Sequence, residues 1–202
     1  MQSKNTTTKQ GKQQLPAGVA PNDHNIEFIG VVDTKTVLWR QRGHTNTFKN
    51  ISPETYEALK ELFLTDQEAV AFLPTLHPEF AHDVNRLVEI YTYYMYGQVD
   101  SKPDVIEGKL QPCENFRESI DCPSLKFTNK FIDIDGAKLS PRDIQIIDDI
   151  ANNLPDKMIA HKLGIHLSTY DFHKRNLFKK IGATTKLQVL KKAILNQVLC
   201  ED

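Results

Sequence analysis

A chain of 202 residues with a formal net charge of −1 has room for one or two domains and a sizeable core, and that balance excludes a protein holding nucleic acid by bulk positive charge. No apolar run is long enough to span a bilayer and the first residues lack the apolar stretch of a signal peptide, so a soluble, cytoplasmic protein with no membrane partner is expected. Three cysteines, an odd number for this length, do not suggest a disulfide framework.

Residues 1–25 are polar, rich in Gln, Lys and Thr, and carry no aromatic side chain. Such a segment buries too little to offset its ordering entropy, and a disordered tail is predicted. Ile26 to Val32 and Thr36 to Arg42 are rich in β-branched and aromatic residues and flank Asp33-Thr34-Lys35, the pattern of a β-hairpin. Trp39, the single tryptophan, reads as a packing residue.

Helical spacing follows. Ser52-Pro53-Glu54 opens a helix whose Tyr56, Leu59, Leu62 and Phe63 share a face, and Thr65 with Glu68 reads as a capping box before Val70, Phe72 and Leu73. Val84, Leu87, Val88, Tyr91, Tyr94 and Met95 keep helical spacing up to Gly97, a C-terminal stop. Tyrosines 91, 93, 94 and 96 wrap round this helix, so one apolar face cannot hold them all; an interface or a crowded core must take the rest. Residues 26–98 thus form a small α+β module without the alternating β and α units of a phosphoryl-accepting receiver domain.

Residues 99–138 form a proline-containing connector that ends in Phe131 to Gly136, a short strand and turn. Cys113 and Cys122 lie within it, and His77 and His82 precede it. Their spacing departs from common zinc-site patterns, so two reduced thiols, with no metal and no cofactor, are expected. No G-x-S-x-G, Walker or H-E-x-x-H pattern appears, and no third group orients a Cys-His dyad, so no enzyme is expected.

Residues 139–202 carry the most specific signal. Ser140, Pro141 and Asp143 open a helix with Ile144, Ile147, Ile150 and Ala151 on one face. Leu154-Pro155-Asp156 breaks the chain before a second short helix containing Met158, Ile159, Ala160 and Leu163. Gly164 supplies a tight turn and Ile165 plugs the corner. A third helix, from about Ser168 to Lys180, turns Tyr170, Leu177 and Ile181 inward and Arg175, Lys179 and Lys180 outward. Thr185 and Gln188 stand as a capping box for a fourth helix. Two helices crossed at a glycine turn, the second of them basic, have the DNA-reading helix-turn-helix geometry.

This stretch resembles the LuxR-type (GerE-type) helix-turn-helix of bacterial transcription regulators. The resemblance rests on Leu139, Ser140, Arg142, Asp143, Ile150-Ala151, Asp156-Lys157, Ile159-Ala160, Leu163, Ile165, Thr169, His173, Asn176, Leu177, Lys180 and Ile181, with Thr184-Thr185-Lys186-Leu187-Gln188 matching the opening of the family's fourth helix. It departs from the family's pattern at Asp143, Pro155, Met158 and, most seriously, Asp171, a carboxylate where the family usually points a cation at DNA. The preceding module is short for the lactone-binding domain of quorum-sensing relatives.

The expected fold class is therefore mainly α, α+β overall. The resemblance implies a transcription regulator that reads the major groove of double-stranded DNA with its third C-terminal helix and meets the transcription machinery. Arg175 would donate to guanine, Phe172 would pack on a thymine methyl, and Asp171 would accept from cytosine N4 or face away. Lys157, Thr169, Lys179 and Lys180 would hold phosphates, with Lys174 and Asn176 on the same helix. It also implies a homodimer through the fourth helix, whose Leu187, Leu190, Ile194 and Val198 form an apolar stripe; the competing expectation is that this stripe packs against the N-terminal module.

Charge distribution agrees with DNA binding. Nine Lys and Arg residues face Asp171 alone between Lys157 and Lys192, whereas Ser52 to Pro123 holds fourteen acids against five bases. Asp171 and the acidic N-terminal half keep a second reading open: a protein-interaction adaptor that retains the scaffold without reading bases.

Overall fold

Alternating β-branched and aromatic residues build a three-stranded antiparallel meander, β1 (Glu27–Val31), β2 (Thr36–Gln41) and β3 (His44–Thr47), in which Phe28 pairs with Trp39 and Trp39 with Asn46. The third strand, absent from the sequence reading, is polar. It forms because Arg42 and Gly43 adopt φ of 52° and 78°, a two-residue turn that folds the chain straight back. The computed structural model describes residues 15–200; residues 1–14, most of the expected tail, lie outside the described residues. In the part that is described, Ala17 is buried and Gly18 N–H donates to Asp23 at 2.8 Å, so packing begins before Ile26.

Helices α1 (Pro53–Thr65) and α2 (Gln67–Leu76) pack on α3 (Val84–Tyr96), which itself packs on this sheet. Ser52 caps α1 as expected. The cap of α2 is Asp66 rather than Thr65: its Oδ1 accepts from Ala69 N–H at 3.0 Å. Asp66 also accepts from Thr128 and Asn129 N–H and from the Tyr91 hydroxyl at 2.9, 2.9 and 3.1 Å, so one carboxylate ties the connector to the helices.

All four tyrosines of α3 are buried. The sheet covers one side of the helix, α1 and α2 another, and Phe116 and Phe127 of the connector close the rest. Each phenol finds an acceptor: Asp66 for Tyr91, Glu118 for Tyr93 and Tyr94, and the Gln111 carbonyl for Tyr96. The tyrosines therefore belong to a crowded core. Gly30 permits the close approach, since a Cβ there would meet the Tyr93 ring at 2.8 Å and the Gly97 carbonyl at 2.9 Å.

The connector contains two small hairpins, β4 (Val105–Ile106) with β5 (Lys109–Leu110) and β6 (Asp133–Ile134) with β7 (Ala137–Lys138). The second is the short strand and turn expected near Gly136. Cys113 Sγ accepts from Phe131 N–H at 3.4 Å, and Cys122 Sγ lies 3.1 Å from Ser124 Oγ. His77 Nδ1 lies 3.9 Å from Glu79. Among the described residues these two cysteines, His77 and His82 do not converge as a group of metal-ligand atoms.

A second core gathers Ile132 and Ile134 with α4 (Pro141–Ala151), α5 (Asp156–Lys162), α6 (Leu167–Lys180) and α7 (Lys186–Leu195). Ser140 and Asp143 complete the expected capping box of α4. This helix is more enclosed than one apolar face predicts. Ile146, Asp148 and Asp149 are buried beside Ile144, Ile147 and Ile150, while Ala151 is exposed. At α7 Thr185 accepts from Gln188 N–H at 3.2 Å, but the Gln188 side chain returns to Thr184 at 2.7 Å, so the expected box is offset by one residue. The chain is α+β, with seven α-helices and seven short strands among the described residues.

Candidate nucleic-acid interface

The turn between α5 and α6 is built as its residues require. Gly164 takes φ of 65°, a conformation that costs an L side chain steric energy, and Ile165 packs into the C-terminal core behind it. Tyr170, Leu177 and Ile181 bury the inner side of α6. Its first turn is held by Asp156, which accepts from the Tyr170 hydroxyl at 3.1 Å and pairs with Lys174 and with Lys186, each at 2.6 Å. Burial works against this carboxylate, yet Lys174 and Lys186 hold it down to about 2. Three helices thus converge on one acid.

Two motif residues are brought together for packing. Arg142 Nη1 lies 2.9 Å from His173 Nε2, and because a guanidinium can only donate, that ring nitrogen is the acceptor. The contact pins α6 to the start of α4.

Thr169, Phe172, Arg175, Asn176 and Lys179 are all exposed along the outer face of α6, with Lys157 and Met158 exposed on α5 beside them. Phe172 is 55% exposed, its ring edge-on to the neighbouring His173 with centroids 5.7 Å apart. Lys157, Arg175 and Lys179 form no ion pair among the described residues. Asp171 is drawn sideways to Lys174 at 3.0 Å, so its charge is matched within the helix and does not stand alone on the outer face. Two of the expected contact residues are otherwise engaged. Lys174 is half-buried between Asp156 and Asp171, whose carboxylates lie 2.6 and 3.0 Å from its amine. Lys180 pairs with Asp143 at 2.5 Å, and despite the burial that works against it, Lys180 and Ser140 hold Asp143 below the ordinary carboxylate range.

The fourth helix departs from the expected stripe. Val198 is fully buried and Leu190 is half-buried against the C-terminal core, so neither is offered to a partner. Val189 and Ala193 close α7 over the core beside Leu190, and Val198 follows the helix end, its N–H donating to the Ala193 carbonyl at 2.8 Å. Leu187, Ile194 and Leu195 are instead 76%, 62% and 71% exposed. This second face, with Leu195 added and Leu190 and Val198 removed, lies outside the N-terminal core as well.

No helix among the described residues is long and apolar enough to cross a membrane. No curated protein and no solved structure matches the chain. Residues 137–193 match the GerE family model, described as bacterial regulatory proteins, luxR family. The match covers β7 to α7, the segment that presents Arg175 and Lys179, and this C-terminal region is a GerE (LuxR-type) domain, the helix-turn-helix of DNA-binding regulators.

Proposed function

We propose that the protein is a sequence-specific DNA-binding transcription regulator in which α6 enters the major groove. The observation that carries this reading is the outer face of α5 and α6. Among the described residues Lys157, Arg175 and Lys179 stand there without acidic partners, while Asp171, the one carboxylate of α6, is matched by Lys174. Arg175 and Phe172 have the chemistry for base edges, and Lys157, Thr169 and Lys179 that for phosphates. Asn176 and Lys180 flank this set. The exposed Leu187, Ile194 and Leu195 support a two-fold dimer through α7, which would set two copies of α6 one helical turn apart on inverted half-sites.

Binding to duplex DNA measured against salt tests the proposal. Neutralising phosphates releases counterions, so log K must fall with log salt at about −0.9 per phosphate contacted. A steep slope supports DNA binding. Retained helicity with no measurable affinity for any duplex would leave the adaptor reading, which the exposed Met158 and Phe172 favour as protein-contact residues.

A further inference from the structure

Three carboxylates far apart in the chain meet inside the N-terminal core. Glu27 begins β1, Asp104 precedes β4 and Glu114 follows β5, and one ligand oxygen from each lies within 4.8 Å of the other two. A backbone amide orients every one of them. Asp100 N–H donates to Glu27 Oε1 at 2.6 Å, Phe28 N–H to Asp104 Oδ2 at 2.7 Å and Gln98 N–H to Glu114 Oε2 at 2.9 Å.

One oxygen of each carboxylate is thereby engaged. Glu27 is fully buried, and its Oε2, like Oε1 of Glu114, is a buried atom with no hydrogen-bond partner among the described residues. Nor does any Lys or Arg form an ion pair with the three acids there. The buried Lys130 lies near enough for its charge to favour ionised Glu114, but its Nζ bonds the Tyr94 carbonyl at 2.8 Å and touches none of the three carboxylates. Unmatched buried carboxylates are costly. Burial accordingly pushes Glu27 up to about 8 and Asp104 and Glu114 well above the usual carboxylate range.

We propose that Glu27, Asp104 and Glu114 form a binding site for a hard divalent cation, Ca2+ or Mg2+. The donors are all oxygen, which selects hard cations over the thiolate- and imidazole-seeking metals. Ca–O distances of about 2.3–2.6 Å let one ion reach oxygens about 5 Å apart. Amide-fixed carboxylates supply the orientation that outer-shell partners give to ligands. The ion enters through a cleft of about 470 Å3 whose walls include Asp104 and Glu114 and, from the end of α7, Asn196 and Gln197. Its binding fastens β1 to the connector directly beneath the GerE domain. The site stands apart from the DNA-reading face and does not depend on it.

The test uses the full chain stripped with EDTA and titrated with Tb3+ as a probe. Excitation is through tyrosine, since Tyr96 donates to the Gln111 carbonyl at 2.9 Å and feels the charges of Asp104 and Glu114. Emission should saturate at one ion per chain and be displaced by Ca2+ or Mg2+. Affinity should fall in Glu114→Gln and Asp104→Asn by more than the roughly 10–100-fold typical of losing an outer-shell partner. Glu57→Gln, on the exposed side of α1, should leave it unchanged. If either variant fails to fold, equilibrium dialysis of the wild-type chain decides. One Ca2+ or Mg2+ retained per chain, with a raised unfolding midpoint, supports the site; no retention at millimolar cation overturns it. Emission that persists unchanged in both folded variants overturns it equally.

Discussion

Arg117 and Asp148 form a buried two-pronged ion pair, Nη1 to Oδ2 at 3.0 Å and Nη2 to Oδ1 at 2.8 Å, joining the connector to α4. The same guanidinium donates from Nη2 to the Val198 carbonyl at 2.7 Å and from Nε at 3.3 Å. Two residues earlier, Asn115 Nδ2 donates to the Asp133 and Asn196 carbonyls at 2.7 and 2.8 Å. The connector thus binds both the first helix of the GerE domain and the chain beyond its last.

Removing the cation should be severe. Arg117→Met leaves Asp148 buried and unpaired and the Val198 carbonyl without its donors, and the expected loss is about 3–5 kcal/mol of unfolding free energy. Arg117→Met combined with Asp148→Leu removes both charges, and urea denaturation should show it more stable than the single variant. A single variant within experimental error of the wild type would mean the pair contributes nothing.

Asp156 should shape the acid limb of stability. Its folded pKa lies near 2, below the usual value of 3.8, so its contribution is present above pH 4 and is lost as pH falls through the folded value. The carboxylate is partly open to solvent, which limits the contribution to about 1 kcal/mol. Asp156→Asn should therefore lie below the wild type at pH 5–7 and converge with it towards pH 2. A constant gap across that range would show that Lys174 and Lys186 do not depress this group.

Arg175 and Lys179 should separate by role. Arg175→Ala is expected to cost about 1–3 kcal/mol on the specific duplex and to relax sequence preference, whereas Lys179→Ala should weaken specific and random duplexes alike and lower the salt slope by about one contact. Identical effects of both changes on both duplexes would reject the assignment. Lys174→Ala, by contrast, should act through stability, since its amine is engaged with Asp156 and Asp171.

The dimer proposal is best probed where α7 is exposed. Ile194→Glu should abolish self-association and reduce DNA affinity while shifting monomer stability by less than about 0.5 kcal/mol, as for ordinary surface positions. Leu190→Glu should destabilise the fold itself, because that side chain packs on the C-terminal core. Sedimentation that leaves Ile194→Glu as dimeric as the wild type would exclude this face.

Local physics wrote the helix-turn-helix into the sequence. Ser140 with Asp143, Gly164, and the inward Tyr170, Leu177 and Ile181 act over a few residues, so spacing alone located the helices, the turn and the face that carries Arg175 and Lys179. The hairpin of β1 and β2, the cap at Ser52 and the stop at Gly97 were legible for the same reason. Tertiary structure decided the rest. A stripe of leucine, isoleucine and valine along α7 does not say which flank meets its own core, and only the packing of Val189, Ala193 and Val198 left Leu187, Ile194 and Leu195 outside. Lys174 looks like a DNA contact until Asp156 of the preceding helix is placed beside it. The four tyrosines of α3 are all buried because the connector folds back over them, and Arg117, Asp148 and the trio Glu27, Asp104 and Glu114 meet only through that fold-back. Spacing along one helix encodes a pair such as Asp171 and Lys174, but these other pairs and the acid cluster join side chains distant in sequence, and neither periodicity nor spacing says which of those charges will be neighbours.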